Sequence, residues 1–381
     1  MNSSLLNWCK EHSVELDSRL LLLADRVLSN DYILKSTPIA KVPKDALLTI
    51  RNSSMHQQLS QLNQSRVVLL SFALAFEIHR GERSTWLSYI ESLPKEAPEI
   101  ASLWLPTPEM DGMELAKELD SLCNTKEGIR GRHSRAQLED IFHTSLAPLA
   151  DGISFNDYLY AYAITSSRLF TIDNYHDVGL VPVADLFNHT EESTVEFESD
   201  TLVCGCCGNL SHSQTNDKQT VDIVTTETIE PHQELFNSYG DTLSNVQLAM
   251  DYGFTLDANE FDRVRFDGAA IAFQWEFNDS DQELFVNDCN LYIDSEARVS
   301  LGLFGATDIA IIDHIVMAYE QSSKVAEKPL REYIQCLIDK IDARLKEYPM
   351  HVNITNAMLV QMRQDEIGLL ETSKRRFKDL L

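Results

Sequence analysis

Apolar positions along the first fifty residues come in short bursts, SVEL, RLLLLA, YIL, PIAKVP and ALLTI. Polar residues break each burst, which predicts several short strands with tight connections. The first glycine of the chain is Gly81. Turns before it must therefore be made from residues such as Asp25, Ser29, Asn30, Asp31 and Pro43. From about 56 to 165 the pattern becomes helical. VVLLSFALAFEIHRGE reads as a buried helix ending near Gly81, and ERSTWLSYIESLPKEAP as a capped helix stopped by Pro94. Residues 113–145 are charged and amphipathic, and FNDYLYAYAITSSRLF spaces apolar residues three and four apart, as a packed helix does. Strands return over 176–255. TVEFESD, TLVCGCC and the alternating QTVDIVTTETI are the candidates, with IEPHQELFNSYG a turn leading into another. The last third reads as mostly helical. Apolar residues at 330, 333, 334, 337, 338, 341 and 345 form one stripe, and NAMLVQMRQDEIGLLETSKRRFKDLL gives a further helix or helix pair. Its basic end, Lys374, Arg375, Arg376 and Lys378, reads as a solvated face that complements the helix dipole.

Length and composition narrow these elements to a class. A chain of 381 residues exceeds one typical domain, so two or three compact units are expected. No run approaches the roughly 18 apolar residues of a membrane helix. The first residues, MNSSLLNWCKEHSVELD, carry acids early and lack the build of a secretory signal, which points to an intracellular protein, cytoplasmic or nuclear. The seven cysteines are then expected as thiols. Three of them, Cys204, Cys206 and Cys207, sit together in VCGCCG; His212 is near, but no second ligand pair follows, so the stretch reads as a loop or hairpin and no metal is expected. The net charge of −27 repels nucleic acid phosphates and suits a basic protein partner of a monomeric chain.

Three segments hold the residues that carry chemistry. The first is Ser167-Arg168-Leu169-Phe170. The second is Asp185-Leu186-Phe187-Asn188-His189. The third runs from Tyr239-Gly240 through Ser244-Asn245 to Tyr252-Gly253-Phe254. Asn188 follows Arg168 by 20 residues, and Tyr252 follows Tyr239 by 13. Their order and spacing resemble the SET-domain protein lysine methyltransferases, in particular the branch of the Rubisco large-subunit methyltransferase and the fungal ribosomal-protein lysine methyltransferases. FEIHRGERSTWLSYIESLP resembles the helical insertion of that branch. The likeness covers roughly residues 15–260 and continues more loosely beyond.

The resemblance implies an α+β fold: a β-rich SET fold with a pseudoknot, a helical insertion, and a separate all-helical C-terminal domain. The corresponding segments are 1–60 and 166–256 for the two parts of the SET domain, 61–165 for the insertion and 257–381 for a substrate-binding domain. It implies S-adenosyl-L-methionine as methyl donor and a non-histone protein lysine as acceptor, a ribosomal protein before others. Tyr239 and Tyr252 are the implied catalytic residues. Arg168, Asn188, His189 and Tyr239 are the implied donor-binding residues, with Ala24, Asp25 and Arg26 at the turn that wraps the donor. Asn245 is implied to brace the crossing of the 188–189 and 237–245 segments.

The chemistry fits these residue types. A lysine attacking a sulfonium methyl must be neutral, although its ordinary pKa is about 10.4. A narrow apolar channel beside a cation disfavours the ammonium. Tyrosine walls such a channel and orients the amine without adding negative charge. One departure stands out. The family carries a G-x-G turn where this chain has Ala24-Asp25-Arg26, and close backbone approach to a ligand favours glycine. It motivates the alternative of a catalytically silent SET scaffold that binds a basic protein.

Overall fold

The computed structural model describes residues 3–103, 113–117, 132–208, 219–277, 280–294, 299–303, 306–310, 327–348, 356–379 and 381, with side chains left undescribed between 267 and 333. The chain divides into two compact units. The first comprises Met1–Trp104, Leu122–Thr242 and Asp251–Gly253; the second comprises Leu105–Ser121, Leu243–Met250 and Phe254–Leu381. The helical insertion expected at 61–165 is thus shared between them, most of it belonging to the first.

In the first unit the early apolar bursts become short strands: β1 (Glu15–Leu16), β2 (Leu20–Leu22), β3 (Val27–Ser29), β4 (Pro38–Pro43) and β5 (Leu48–Thr49). They are followed later by β6 (Leu169–Asp173), β7 (Asp177–Leu180), β8 (Asn188–His189), β9 (Val195–Glu198), β10 (Thr220–Thr225) and β11 (Phe236–Asn237). None of these is long enough to hold itself, so pairing across long sequence distances defines them. One antiparallel sheet has the order β1-β4-β10-β9, with Val221 opposite Val42 and Ile223 opposite both Ala40 and Phe197. A second is β5-β7-β6, and β2-β3 form a hairpin. β8 and β11 pair in parallel, Asn188 beside Phe236 and His189 beside Asn237. These are the segments that the pseudoknot brings together. TLVCGCC, expected as a strand, is not one: 201–204 is irregular and 205–207 a turn.

The core runs through the helix Arg66–Arg80, in which Val67 to Leu70 and Phe72 to Ala75 are all buried. A helix apolar on every side belongs in an interior. It packs against the helix Phe155–Arg168, which starts at a capping box: Ser154 Oγ accepts from Asp157 N–H, and the Asp157 carboxylate accepts from Ser154 N–H. Glu77, fully buried, is compensated by Arg80 and by the Ser54 N–H. A buried Lys44–Asp173 pair at 2.7 Å, with Lys44 also donating to Asp200 C=O, ties β4's exit to the end of β6.

The second unit departs from the all-helical expectation. Residues 263–310 form an antiparallel sheet, β12 (Arg263–Phe277), β13 (Ser280–Asp294), β14 (Val299–Leu303) and β15 (Ala306–Ala310), in that order. Two long helices follow, Glu327–Glu347 and Ala357–Asp379, packed on one another as the apolar stripe requires, with Ile334, Leu337, Ile338 and Ile341 buried. Inside this unit Glu114, Arg344, Tyr348 and Glu366 form a buried polar cluster. Glu366 accepts from Tyr348 Oη–H at 2.7 Å and from Glu114 N–H, and Arg344 donates to Glu114 at 3.2 Å.

Candidate active site

A cavity of about 140 Å³, open on one side, lies wholly within the first unit. Its walls come from the second expected SET segment, 166–256. The C-terminal end of the helix Phe155–Arg168 brings Ser167 and Arg168, β6 brings Phe170, the 3-10 turn Ala184–Leu186 brings Asp185, and the chain after β11 brings Tyr239. Tyr252 completes it. Tyr252 precedes Gly253, whose φ of +80° and approach to the Glu99 backbone leave no room for a Cβ.

The two tyrosine rings stack at 4.6 Å between centroids, tilted by 28°. Tyr239 Oη–H donates to Phe187 C=O at 3.0 Å. Burial pushes the Tyr239 phenol up to about 12, so it stays neutral and serves as donor and wall, not as base. On its other side Tyr239 stacks with the His189 ring at 5.1 Å, and its N–H donates to His189 Nδ1 at 3.1 Å. Accepting that bond makes Nδ1 the unprotonated nitrogen of the ring. Burial also lowers the His189 pKa, in the same sense.

Arg168 faces Asp185 across 4.0 Å, with Asp185 nearly buried and Arg168 partly open to the cavity. Asp185 accepts a hydrogen bond from Tyr89 Oη–H at 2.8 Å, and Tyr89 is fully buried. Burial raises the Asp185 pKa, opposed by the Arg168 charge and the Tyr89 bond. Val183, two residues before Asp185, has φ +76° and ψ −47°, a strained backbone for a β-branched residue.

The remaining expected residues meet on an adjoining patch of the same unit. Asn188 Nδ2 donates to Asp25 C=O at 3.1 Å and to Glu234 at 2.7 Å. Arg26 pairs with Asp25 at 2.8 Å and with Glu234 at 3.3 Å. Ala24, Asp25 and Arg26 thus lie at the β2–β3 turn beside Asn188. None of the three has a positive φ, so this turn needs no glycine for its own conformation; Ser13 and Ser36 are the early residues that adopt one. Asn245 lies elsewhere: its side chain bonds Leu256 C=O and Asp262 in the second unit, so it braces the chain that follows it.

Reading the sequence placed Asp185 in a motif without giving it a role, and gave none to Tyr89 or Glu234. Asp185 opens the segment that holds Asn188 and His189, and a charged residue inside an apolar run was its signal. Tyr89 lies in the FEIHRGERSTWLSYIESLP stretch that carries the resemblance, and Glu234 carried no signal.

A family model described as SET domain matches residues 26–240, more than half of the chain. The chain is 26% identical over 315 residues to ribosomal lysine N-methyltransferase set10 of Schizosaccharomyces pombe, covering 77% of this chain and 52% of that protein. It is 27% identical over 214 residues to ribosomal lysine N-methyltransferase 3 of Saccharomyces cerevisiae, covering 41% of this chain and 38% of that one. The chain spans about half the length, or less, of these curated relatives. A crystal structure of the SET domain of LSMT bound to lysine and AdoHcy superposes with a TM-score of 0.63 at 17% identity, covering 99% of this chain and 90% of that one. That likeness fixes the fold.

Proposed function

We propose that this chain, which belongs to the SET-domain family, is a protein-lysine N-methyltransferase that uses S-adenosyl-L-methionine and acts on a non-histone substrate, a ribosomal protein first. The observation that carries the reading is the stacked Tyr239–Tyr252 pair in one cavity with Arg168 and Asp185. Relatives named for ribosomal lysine methylation support the substrate class.

The residues present suit a zwitterionic, cationic donor. Arg168 offers a guanidinium to a carboxylate, the Asn188 amide and the Asp25 C=O offer polar contacts, and aromatic faces suit a sulfonium. When bound, the donor supplies an activated methyl group. The protein's part is positioning and desolvation. The Tyr239 and Tyr252 rings exclude water from the incoming lysine stem, so an ammonium entering between them loses hydration and its proton is easier to release. The neutral Tyr239 hydroxyl adds no counter-charge that would hold the ammonium. Asp185, at the cavity wall, is engaged by Arg168 and by the Tyr89 hydroxyl, and the proton leaves to solvent through the open side.

Calorimetric titration with S-adenosylmethionine and transfer of labelled methyl to a ribosomal protein extract test the reading. Saturable donor binding together with lysine-linked label supports it. Donor binding absent at millimolar concentration rejects it and leaves the scaffold alternative. Label linked to histidine rejects the lysine assignment alone.

A further inference from the structure

Between β9 and β10, outside the cavity, three thiols converge. Cys204, Cys206 and Cys207 have sulfur atoms all within 4.8 Å of one another, and Cys204 and Cys206 share a sulfur hydrogen bond at 2.9 Å. Three thiolates around one ion with bonds of about 2.3 Å stand roughly 3.8–4.0 Å apart. The observed spacing brackets that value, so side-chain rotation alone closes the site. The turn is also built to hold this shape. Cys204 C=O accepts from both Cys207 N–H (3.3 Å) and Gly208 N–H (2.8 Å). Gly208 has φ +75° and lies flat on the Tyr175 ring, where a Cβ would stand 3.0 Å from Cδ1. Tyr175 is in turn covered by the Arg51 guanidinium at 3.9 Å from its ring centroid. Asn174 N–H donates to Thr201 C=O, and the buried Lys44–Asp173 pair anchors Asp200 just upstream. An ordinary surface loop has no need of such a floor.

We propose that Cys204, Cys206 and Cys207 form a three-thiolate site for one monovalent copper ion. Soft thiolates select Cu(I) and Zn(II) over hard cations. Structural zinc is almost always four-coordinate; among the described residues the cluster contains three ligands, and His212, the nearby candidate from the sequence, lies outside the described residues. Three ligands and open access to solvent on Cys206 and Cys207 suit an ion content with trigonal coordination that enters and leaves from the surface. Each thiol binds as thiolate and gives its proton to solvent, so affinity rises with pH.

The test uses the full chain, reduced beforehand, titrated with Cu(I) against a chromophoric chelator, with a parallel titration by Zn(II). The expected result is one Cu(I) withdrawn per chain. Cys204→Ser should weaken it at least tenfold, the triple serine variant should abolish it, and Cys336→Ser, an exposed thiol elsewhere, should leave it unchanged. Circular dichroism keeps loss of the ion distinct from loss of fold, and the exposed serine positions should not move it. The proposal is overturned if no Cu(I) is withdrawn, if the triple variant retains it, or if Zn(II) binds one per chain where Cu(I) does not.

Discussion

Replacing Asp185 by alanine is expected to damage the first unit more than any surface change, and the size follows from its two partners. At 4.0 Å and an effective dielectric near 20, the Arg168 attraction is about 4 kcal/mol gross. Arg168 is 22% exposed, so water reclaims part of it, and desolvation of Asp185 cancels more; about 1–2 kcal/mol net remains. The Tyr89 hydroxyl, fully buried, loses its acceptor, which costs about 1–3 kcal/mol. Together Asp185→Ala should cost about 2–5 kcal/mol, a fall in Tm of roughly 10 °C for a domain of this size. Asp185→Asn keeps an acceptor for Tyr89 and should cost only about 1–2 kcal/mol. The decisive measurement is a double-mutant cycle with Tyr89→Phe in urea melts at neutral pH. Tyr89→Phe should cost about 1 kcal/mol in the parent and nothing, or less than nothing, in Asp185→Ala, where the phenylalanine removes the orphaned hydroxyl. If the two losses add to within about 0.5 kcal/mol, the residues act independently and the reasoning is wrong.

Tyr239→Phe should leave stability within about 1.5 kcal/mol while lowering labelled methyl transfer at least tenfold, because one hydrogen bond to Phe187 C=O is lost but the ring wall stays; equal transfer by the variant would remove the hydroxyl from the proposed chemistry. Lys44→Met should destabilise by about 3 kcal/mol, since Asp173 stays buried without its cation. In Asp173 burial pushes the pKa up, but bonds from His176, Lys44 and Tyr175 outweigh it and hold it at about 2. Its stabilisation is therefore present above about pH 4 and lost as pH falls towards 2, and an acid titration of the melt should show that loss. Glu366 has the opposite sign: burial raises it to about 7, so the second unit loses stability as pH rises from about 4.5 to 7, and Glu366→Gln should flatten that slope in urea melts taken across the range. Gly253→Ala should cost both stability and methyl transfer, because a Cβ would stand within 3.0 Å of Glu99 backbone atoms and push Tyr252 out of its stack.

How much of this was legible depended on whether a residue's role was local. The helix Arg66–Arg80 was readable because nine of the ten residues 67–76 are apolar and such a run belongs in an interior, and the capped start at Ser154 because its partner is three residues away. β8 is two residues long and exists through its pairing with β11, 48 residues later; only motif order pointed to it. TLVCGCC failed as a strand because its β-branched, apolar start carries the statistics while the glycine and the turn bonds to Cys204 C=O decide the conformation. Positive φ at Ser13 and Ser36 left no mark either, serine being compatible with many turns. The sheet at 263–310 was the larger miss. VRFDGAAIAFQWEF partly alternates and is followed by residue types that favour turns, Asn, Asp and Ser, a signal weaker than the clear stripe of the helix after it.

The same distinction explains why the helical insertion cannot be treated as a separate module grafted beside the cavity. Trp86 Nε1–H donates to Ala46 C=O in the SET core, and Tyr89, three residues on, supplies the bond that fixes Asp185. Asp185 in turn sits one short turn after Val183, whose backbone is held at φ +76° at a cost of about 1–3 kcal/mol. A β-branched residue stays there only if its surroundings over-determine it. They do: Val183 is fully buried, Leu186 N–H donates to its carbonyl at 3.1 Å, and Asp185 N–H donates to Val181 C=O. The strain thus aims one carboxylate at the cavity wall, and the insertion supplies the hydroxyl that keeps it there. A chain stripped of residues 84–94 would keep Arg168, Tyr239 and Tyr252 and still lose the geometry of the site, because the donor to Asp185 and the strap to Ala46 leave together.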